Sequence, residues 1–198
     1  MEWALKTRFN YQTGCTLTDE HLQYLYEKVF GSSSRQDRSI TWTQFCKDNL
    51  IDRNFSFFNW FHEATKLTRL HLSKEWEKGL IHGFISKSKA EEMLRTCPAG
   101  TFLLRFSDSK LVGISVAWVE NNADGSLNFE IMDPYLIKDF EIIKPSRSIG
   151  DFLRKLDVCT HLYPDKPKDL AFGEYYAPTA AAAAAANRCP NGYKPKIV

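Results

Sequence analysis

The sequence predicts an α+β fold in which a helical domain is followed by a small central antiparallel sheet flanked by helices. Three observations lead to this prediction: helical spacing of apolar residues over about the first 70 positions, strand-like alternation within residues 101–132, and a return of helical spacing after Ser148. We expect a helical domain over residues 1–73, a sheet-containing domain over residues 74–176 and a flexible tail over residues 177–198.

Three helices are predicted in the first domain from their caps and apolar spacing. Thr18 can cap the first helix, and Gly31 is a natural stop. Thr41 with Gln44 is the capping-box pattern that opens a short second helix, and a third begins near Ser56. The apolar side chains expected on the buried faces are Leu22, Leu25, Tyr26 and Val29 in the first helix and Phe57, Trp60, Phe61, Ala64 and Leu67 in the third.

The second domain is predicted to hold three strands between two helices. Alternating segments give strands over residues 101–106, 113–119 and 127–132, and the polar residues 121–126 form a strong hairpin connection. One helix is expected over about residues 88–95, and the other opens at Ser148 with Asp151 at the capping-box distance. Past Tyr176, the prolines and seven alanines provide no large apolar side chains for a core, which predicts the flexible tail over residues 177–198.

Overall charge argues against binding through bulk electrostatics. The 26 basic and 24 acidic side chains leave a net charge of +2, so recognition of an anion has to be local, and no membrane partner is expected. No apolar run approaches the roughly 20 residues of a bilayer-spanning helix. Five scattered cysteines without a C-x-x-C pair indicate free thiols in a reducing compartment, the cytosol or the nucleus.

A charged side chain interrupts the first predicted strand, within GTFLLRFSDS at residues 100–109. Strand alternation places Phe102 and Leu104 on one face and Arg105 on the other, two residues before a polar turn. A guanidinium matches phosphate bidentately, seryl hydroxyls donate to phosphate oxygens, and successive turn amides can form a nest for an anion. The sequence therefore predicts an oxyanion site that consists of Arg105, Ser107, Asp108 and Ser109.

Two lysines next to this region support the prediction. Lys87 and Lys89 lie at the start of the short helix, where the helix dipole is already positive and acidic residues would be more stabilising. Positive side chains at this position favour the binding of an anion. The alternative is that Arg105 is a solvated side chain paired with Asp108 or Glu130, and that the lysines serve only solubility.

Long runs of the sequence resemble the STAT family, the signal transducers and activators of transcription. Residues 83–87, 100–109 and 113–118 resemble its Src-homology 2 (SH2) domain, residues 42–45 and 53–61 its linker domain, and residues 163–169 and 175–176 the closing segment. The resemblance implies a linker domain followed by an SH2 domain, with Arg105 as the phosphotyrosine-binding arginine and Lys87 as a second ligand. It also implies that the phosphate-binding loop is formed by Ser107, Asp108 and Ser109. The family usually has Glu at position 108 and a Gly-Gly pair at positions 112–113.

The end of the chain resembles the family's phosphorylated tail, which makes Tyr193 the expected phosphorylation site, although Lys194 stands where an apolar residue is usual. The implied partners are phosphotyrosine peptides of receptors or of a second copy, and a JAK-type tyrosine kinase as modifier. A homodimer is expected on phosphorylation, DNA contact only through domains absent from this chain, and movement from cytoplasm to nucleus. No cofactor and no metal ion is expected.

Other function classes fit the sequence less well. The sequence lacks G-x-S-x-G, H-E-x-x-H and P-loop motifs, which leaves only an activity of Cys97 or Cys159 with a distant histidine open for an enzyme. Residues 40–45 resemble the rear half of an EF-hand loop, but Gln44 replaces the bidentate glutamate, so calcium binding is not expected. A truncated, dominant-negative or adaptor form that binds phosphotyrosine without reading DNA remains an alternative.

Overall fold

Eight α-helices and five strands are found in the ranges that the structure, a computed structural model, describes: residues 1–31, 39–111, 113–136 and 148–178. The helices are α1 (Glu2–Thr13), α2 (Asp19–Phe30), α3 (Trp42–Cys46), α4 (Phe57–Leu67), α5 (Ser73–Glu77), α6 (Lys87–Leu94), α7 (Ile149–Arg154) and α8 (Lys168–Phe172). The strands are β1 (Thr101–Phe106), β2 (Ile114–Asn121), β3 (Leu127–Ile131), β4 (His161–Leu162) and β5 (Lys166–Pro167). A π-helical turn at Thr68–Leu72 joins α4 to α5, and a 3-10 turn at Gly173–Tyr175 follows α8.

The sheet has the strand order β3-β2-β1-β4-β5. Its centre is antiparallel, with β1 paired to β2 and β2 to β3, as the alternating segments predict. The short strand β4 adds to β1 in parallel and then pairs with β5, so the complete sheet is mixed. The α+β prediction is confirmed, whereas β4 and β5 were missed because two residues carry no alternation to detect.

Helix starts follow the capping residues that the sequence predicts. Thr18, Thr41 and Ser148 each accept a hydrogen bond from the third helical residue, whose side chain bonds back to the cap, and Ser56 caps α4 without that return bond. The helix α5 was not predicted, because Ser73 begins a polar stretch. Its formation follows from tertiary packing, since it carries the buried ring of Trp76 into the core.

One apolar core joins the helical half of the chain to the sheet. Phe84, just before α6, packs against Phe61 of α4 at 5.8 Å, Trp60 at 5.7 Å and Phe106 of β1 at 4.7 Å between ring centroids. Packing therefore runs without a gap across the predicted domain boundary at residue 73. The helices α2 and α4 are consequently held directly against the end of β1.

The two faces of β1 differ as the alternation predicts. Phe102, Leu104 and Phe106 belong to the large core, whereas Leu103 belongs to a smaller cluster beneath α6. Arg105 shares the α6 side with Leu103, and its partner across the β1–β2 ladder is Ser115. The guanidinium therefore leaves the sheet close to the start of α6.

Gly83 fixes the approach of the chain to β1 beside Arg105. Its amide donates to the carbonyl of Leu104 at 3.1 Å, and its carbonyl accepts from the amide of Phe106 at 2.7 Å. Its φ is +60°, and a Cβ here would overlap the Trp76 ring. Only glycine allows this backbone conformation and this close contact together.

We expect Gly83→Ala to lower the free energy of unfolding by about 2–5 kcal/mol, because left-handed strain and overpacking add. Gly79→Ala is the matched control, since Gly79 has a φ of +67° but nothing within 4 Å of an added Cβ, so only about 1–2 kcal/mol of strain applies. Urea unfolding of both variants measures the difference. Equal losses in the two variants would show that the contact with Trp76 contributes nothing.

Candidate functional site

Arg105 is a buried cation. The residue is 2% exposed, its Nε donates to the carbonyl of Ile85 at 3.0 Å, and its guanidinium pairs with the carboxylate of Asp108. The pairing with Asp108 agrees with the alternative of an ordinary ion pair, but the burial does not agree with a solvated side chain. A charge at this depth is costly to desolvate, so holding it here lowers the stability of the fold.

The carboxylate of Asp108 is shared among three side chains. Besides Arg105, it accepts from the hydroxyl of Tyr24 and from the Nζ of Lys28 at 3.1 Å, both of which come from α2. Arg53 donates from its Nε to the backbone carbonyl of Asp108 at 2.8 Å. Within the described residues, the hydrogen bonds of this cluster thus join three cationic side chains to Asp108, two of them at its carboxylate and Arg53 at its backbone carbonyl.

The pKa directions agree with a carboxylate surrounded by cations. Burial alone raises the pKa of Asp108, but the charges of Arg105 and Lys28 outweigh it and leave that pKa below its ordinary value. Burial, and then the neighbouring carboxylate, raise the pKa of Tyr24 well above its usual range, so this hydroxyl stays a donor. The pKa of Lys28 is lowered mainly by burial, which Asp108 opposes.

The turn after β1 is folded around the hydroxyl of Ser107. Its Oγ accepts from the amides of Ser109 and Lys110, each at 3.2 Å, and lies 3.3 Å from the Oγ of Ser109. The carbonyl of Ser107 accepts from the Nε1 of Trp60 at 2.8 Å. Two of the turn amides that the sequence assigns to an anion nest are therefore used by Ser107 in this structure, and one of the two hydroxyls donates to the other.

Lys87 is the first residue of α6, directly after the cap Ser86 and two residues after Ile85. It is exposed and lines a groove of about 530 Å³ between α6 and the β2–β3 hairpin. The first turn of α6 holds no acidic residue, so the positive end of the helix is left without an acidic partner on that turn. The structure therefore brings Arg105, Ser107, Asp108 and Ser109 together and places Lys87 on an adjoining exposed edge. Tyr193 lies outside the described residues.

Sequence reasoning missed the contribution of the helical half to this cluster. Tyr24 and Lys28 lie on one face of α2, four residues apart, and Trp60 was assigned only to the core. The contacts of Tyr24 and Lys28 with Asp108 span 84 and 80 positions of the sequence. The contact of Trp60 with Ser107 spans 47 positions. The i, i+4 spacing of Tyr24 and Lys28 is the only local signal, and it is common on helices.

The other function classes find little support in the described part of the chain. Burial raises the pKa of Cys97, and it raises the pKa of Cys159 to about 12, which disfavours the thiolate that a nucleophile needs. The side chain of Gln44, at the position of the bidentate glutamate of an EF-hand, accepts from the amide of Thr41 at 3.0 Å and so serves the cap of α3. No metal-binding cluster of three His, Cys or carboxylate residues and no helix able to span a membrane occurs among the described residues.

Comparison with known proteins finds two domain families in the order that the structure shows. Residues 1–61 match the linker domain of signal transducer and activator of transcription, and residues 80–148 match the SH2 domain. The first match covers α1 to α3 and the start of α4, and the second covers α6, the three antiparallel strands, Arg105 and the turn with Ser107, Asp108 and Ser109.

Similar proteins from three species are named as signal transducers that activate transcription. The chain is 41% identical over 179 residues to a signal transducer and transcription activator of Anopheles gambiae, and 41% identical over 182 residues to signal transducer and activator of transcription 6 of Homo sapiens. A Drosophila melanogaster signal transducer and transcription activator is 40% identical over 184 residues. Each match covers 88% of this chain and between 21% and 24% of the relative, so the chain spans about a quarter of their length. With both domains matched in order and this identity over most of its residues, the chain belongs to the STAT family.

Proposed function

We propose that this chain is the phosphotyrosine-binding part of a STAT-like signal transducer and transcription factor, with Arg105 as the residue that binds the phosphate. The observation that carries the proposal is the charge of the Arg105 cluster, in which Arg105 and Lys28 bond to the carboxylate of Asp108 and a third cation, Arg53, bonds to its backbone carbonyl. A phosphate carries about −1.5 to −2 charges near neutral pH, which matches this excess of positive charge.

The burial of Arg105 favours tyrosine phosphate over other phosphates. The guanidinium side chain is 3% exposed, so a phosphate must reach inward past the surface of the turn. An aromatic side chain places its phosphate farther from the peptide backbone than serine or threonine does. The hydroxyls of Ser107 and Ser109 then supply neutral donors, and Lys87 reaches the phosphate from the edge of α6. Asp108 contributes through its backbone, because its ionised carboxylate can only accept.

A peptide titration tests the proposal. We expect the tail peptide of residues 188–198 to bind roughly 100-fold more tightly when Tyr193 is phosphorylated, because phosphate adds charge-assisted hydrogen bonds of about 1.5–3 kcal/mol each. The control is the same peptide with phosphoserine at position 193, which should bind far more weakly. Calorimetry or fluorescence anisotropy gives the affinities. Equal affinity for the phosphorylated and unmodified tyrosine peptides would exclude the phosphate site.

We propose that the chain takes part in the signalling sequence expected of its family, which also involves other proteins and other domains. A JAK-type kinase phosphorylates Tyr193, receptor phosphotyrosines recruit the chain, and two copies exchange tails to form a homodimer. The dimer moves from the cytoplasm to the nucleus, where domains outside this chain contact DNA. The names of the relatives, signal transducers and transcription activators, support this role.

A further inference from the structure

Four side chains of the linker region form hydrogen bonds to two residues of the predicted phosphate-binding loop, which consists of Ser107, Asp108 and Ser109. Tyr24 and Lys28 bond to the carboxylate of Asp108 and Arg53 to its carbonyl, while Trp60 donates to the carbonyl of Ser107. A linker domain that only connected other domains would need no hydrogen bonds to this loop. The concentration of contacts on Asp108 indicates a role in the site itself.

Asp108 occupies a donor that phosphate needs. Its carboxylate bonds to a terminal nitrogen of Arg105, while the Nε of the same guanidinium is held by Ile85. A bidentate phosphate uses two guanidinium donors, so the phosphate and the carboxylate compete for Arg105. A carboxylate displaced from Arg105 beside a dianion is costly unless other donors keep it paired.

Lys28 and Tyr24 are placed to keep that carboxylate paired. The Lys28 side chain is 11% exposed, and its Nζ lies 4.3 Å from the centroid of the Trp60 ring and 3.1 Å from Asp108. The ring and the helix therefore fix the ammonium in place. Both α2 donors bond to Oδ1 of Asp108 whereas Arg105 bonds to Oδ2, so both can stay on Asp108 when a phosphate takes the terminal nitrogen of Arg105.

We propose that Tyr24 and Lys28 of the linker domain are positioning residues of the phosphate site, which retain the Asp108 carboxylate while a phosphate takes its place on Arg105. The proposal rests on the phosphotyrosine-binding function proposed above. Without Lys28, Asp108 depends more on Arg105 in the empty site and is poorly paired in the occupied one. Both effects weaken phosphate binding.

A double-mutant cycle on the whole 198-residue chain tests the coupling, with the phosphorylated tail peptide of residues 188–198 as the probe. Lys28→Met should lower the affinity about tenfold, the size expected for a charge-assisted bond of about 1.5 kcal/mol. Asp108→Asn should raise the affinity, because the side chain that competes with the phosphate for Arg105 loses its negative charge. In the Asp108→Asn background, Lys28→Met should lower the affinity by less than about threefold, since Lys28 acts through that carboxylate.

Three further variants separate positioning from folding and from general charge. Lys66→Met removes a partly exposed lysine of α4 whose only ion pair in the described residues is with Glu63 at 3.9 Å, and should leave the affinity unchanged. Lys28→Arg should restore most of the lost affinity. If Lys28→Met does not fold, Tyr24→Phe takes its place in the cycle, because it removes one hydroxyl and keeps the ring.

The outcomes distinguish this inference from the function on which it rests. A wild-type chain without preference for the phosphorylated peptide overturns both. Where that preference exists, the positioning role is overturned if Lys28→Met and Tyr24→Phe bind as wild type. It is also overturned if Lys28→Met costs the same in both Asp108 backgrounds, which is the result of a charge acting directly on the phosphate.

Discussion

Replacing Arg105 by lysine is expected to lower the affinity for the phosphorylated tail peptide by about 100-fold, without changing the weak affinity for the unphosphorylated one. The variant keeps a positive charge beside Asp108, so the carboxylate is not left unpaired. It loses the planar fork that binds phosphate through two parallel bonds. It also loses the Nε bond to the carbonyl of Ile85, which aims the guanidinium.

The control for this variant is Arg95→Lys. Arg95 lies at the exposed end of α6 and pairs with Glu91 at 3.5 Å, so the same exchange there removes no phosphate ligand. Both variants should be titrated by calorimetry and unfolded thermally, which separates lost binding from lost folding. Arg105→Lys that binds the phosphopeptide as tightly as wild type, with a normal unfolding transition, would exclude Arg105 as the phosphate ligand.

Alternation and capping predicted the local structure well because they depend on neighbouring residues. The period of two placed Arg105 on the opposite face from Leu104, the caps placed the starts of α2, α3 and α7, and the apolar stripe placed the start of α4. The burial of Arg105 could not be predicted in this way. It depends on contacts with Ile85 and with Asp108, and Asp108 is held in turn by Tyr24 of α2, which is far from β1 in sequence.

For the predicted phosphate-binding loop, too, the residues could be identified from the local sequence, whereas their contacts depend on the tertiary structure. Its serines and its acidic residue could be identified because they follow a strand within a few positions. The bonds from Tyr24, Arg53 and Trp60 could not be predicted, because they require the linker helices and the end of β1 to share one core. The linker therefore forms a wall of the predicted site.

Phosphorylation of Tyr193 is expected to convert the chain from a monomer to a dimer, and Tyr193→Phe to remain monomeric after the same kinase treatment. Reciprocal exchange makes two phosphotyrosine contacts between two copies, so the second contact forms at high effective concentration. Light scattering across a dilution series gives the mass and its dependence on concentration. A dimer of Tyr193→Phe would locate the interface elsewhere.

Mixing two defective variants distinguishes reciprocal exchange from the alternatives. Phosphorylated Arg105→Lys supplies a tail without a site, and Tyr193→Phe supplies a site without a tail, so their mixture can form only one of the two contacts. We expect this mixture to associate at least about 100-fold more weakly than phosphorylated wild type, because the gain from the second contact is lost. A mixture as tight as wild type would mean that one contact suffices. A phosphorylated wild type that stays monomeric and no longer binds added phosphopeptide would mean that each tail occupies its own site.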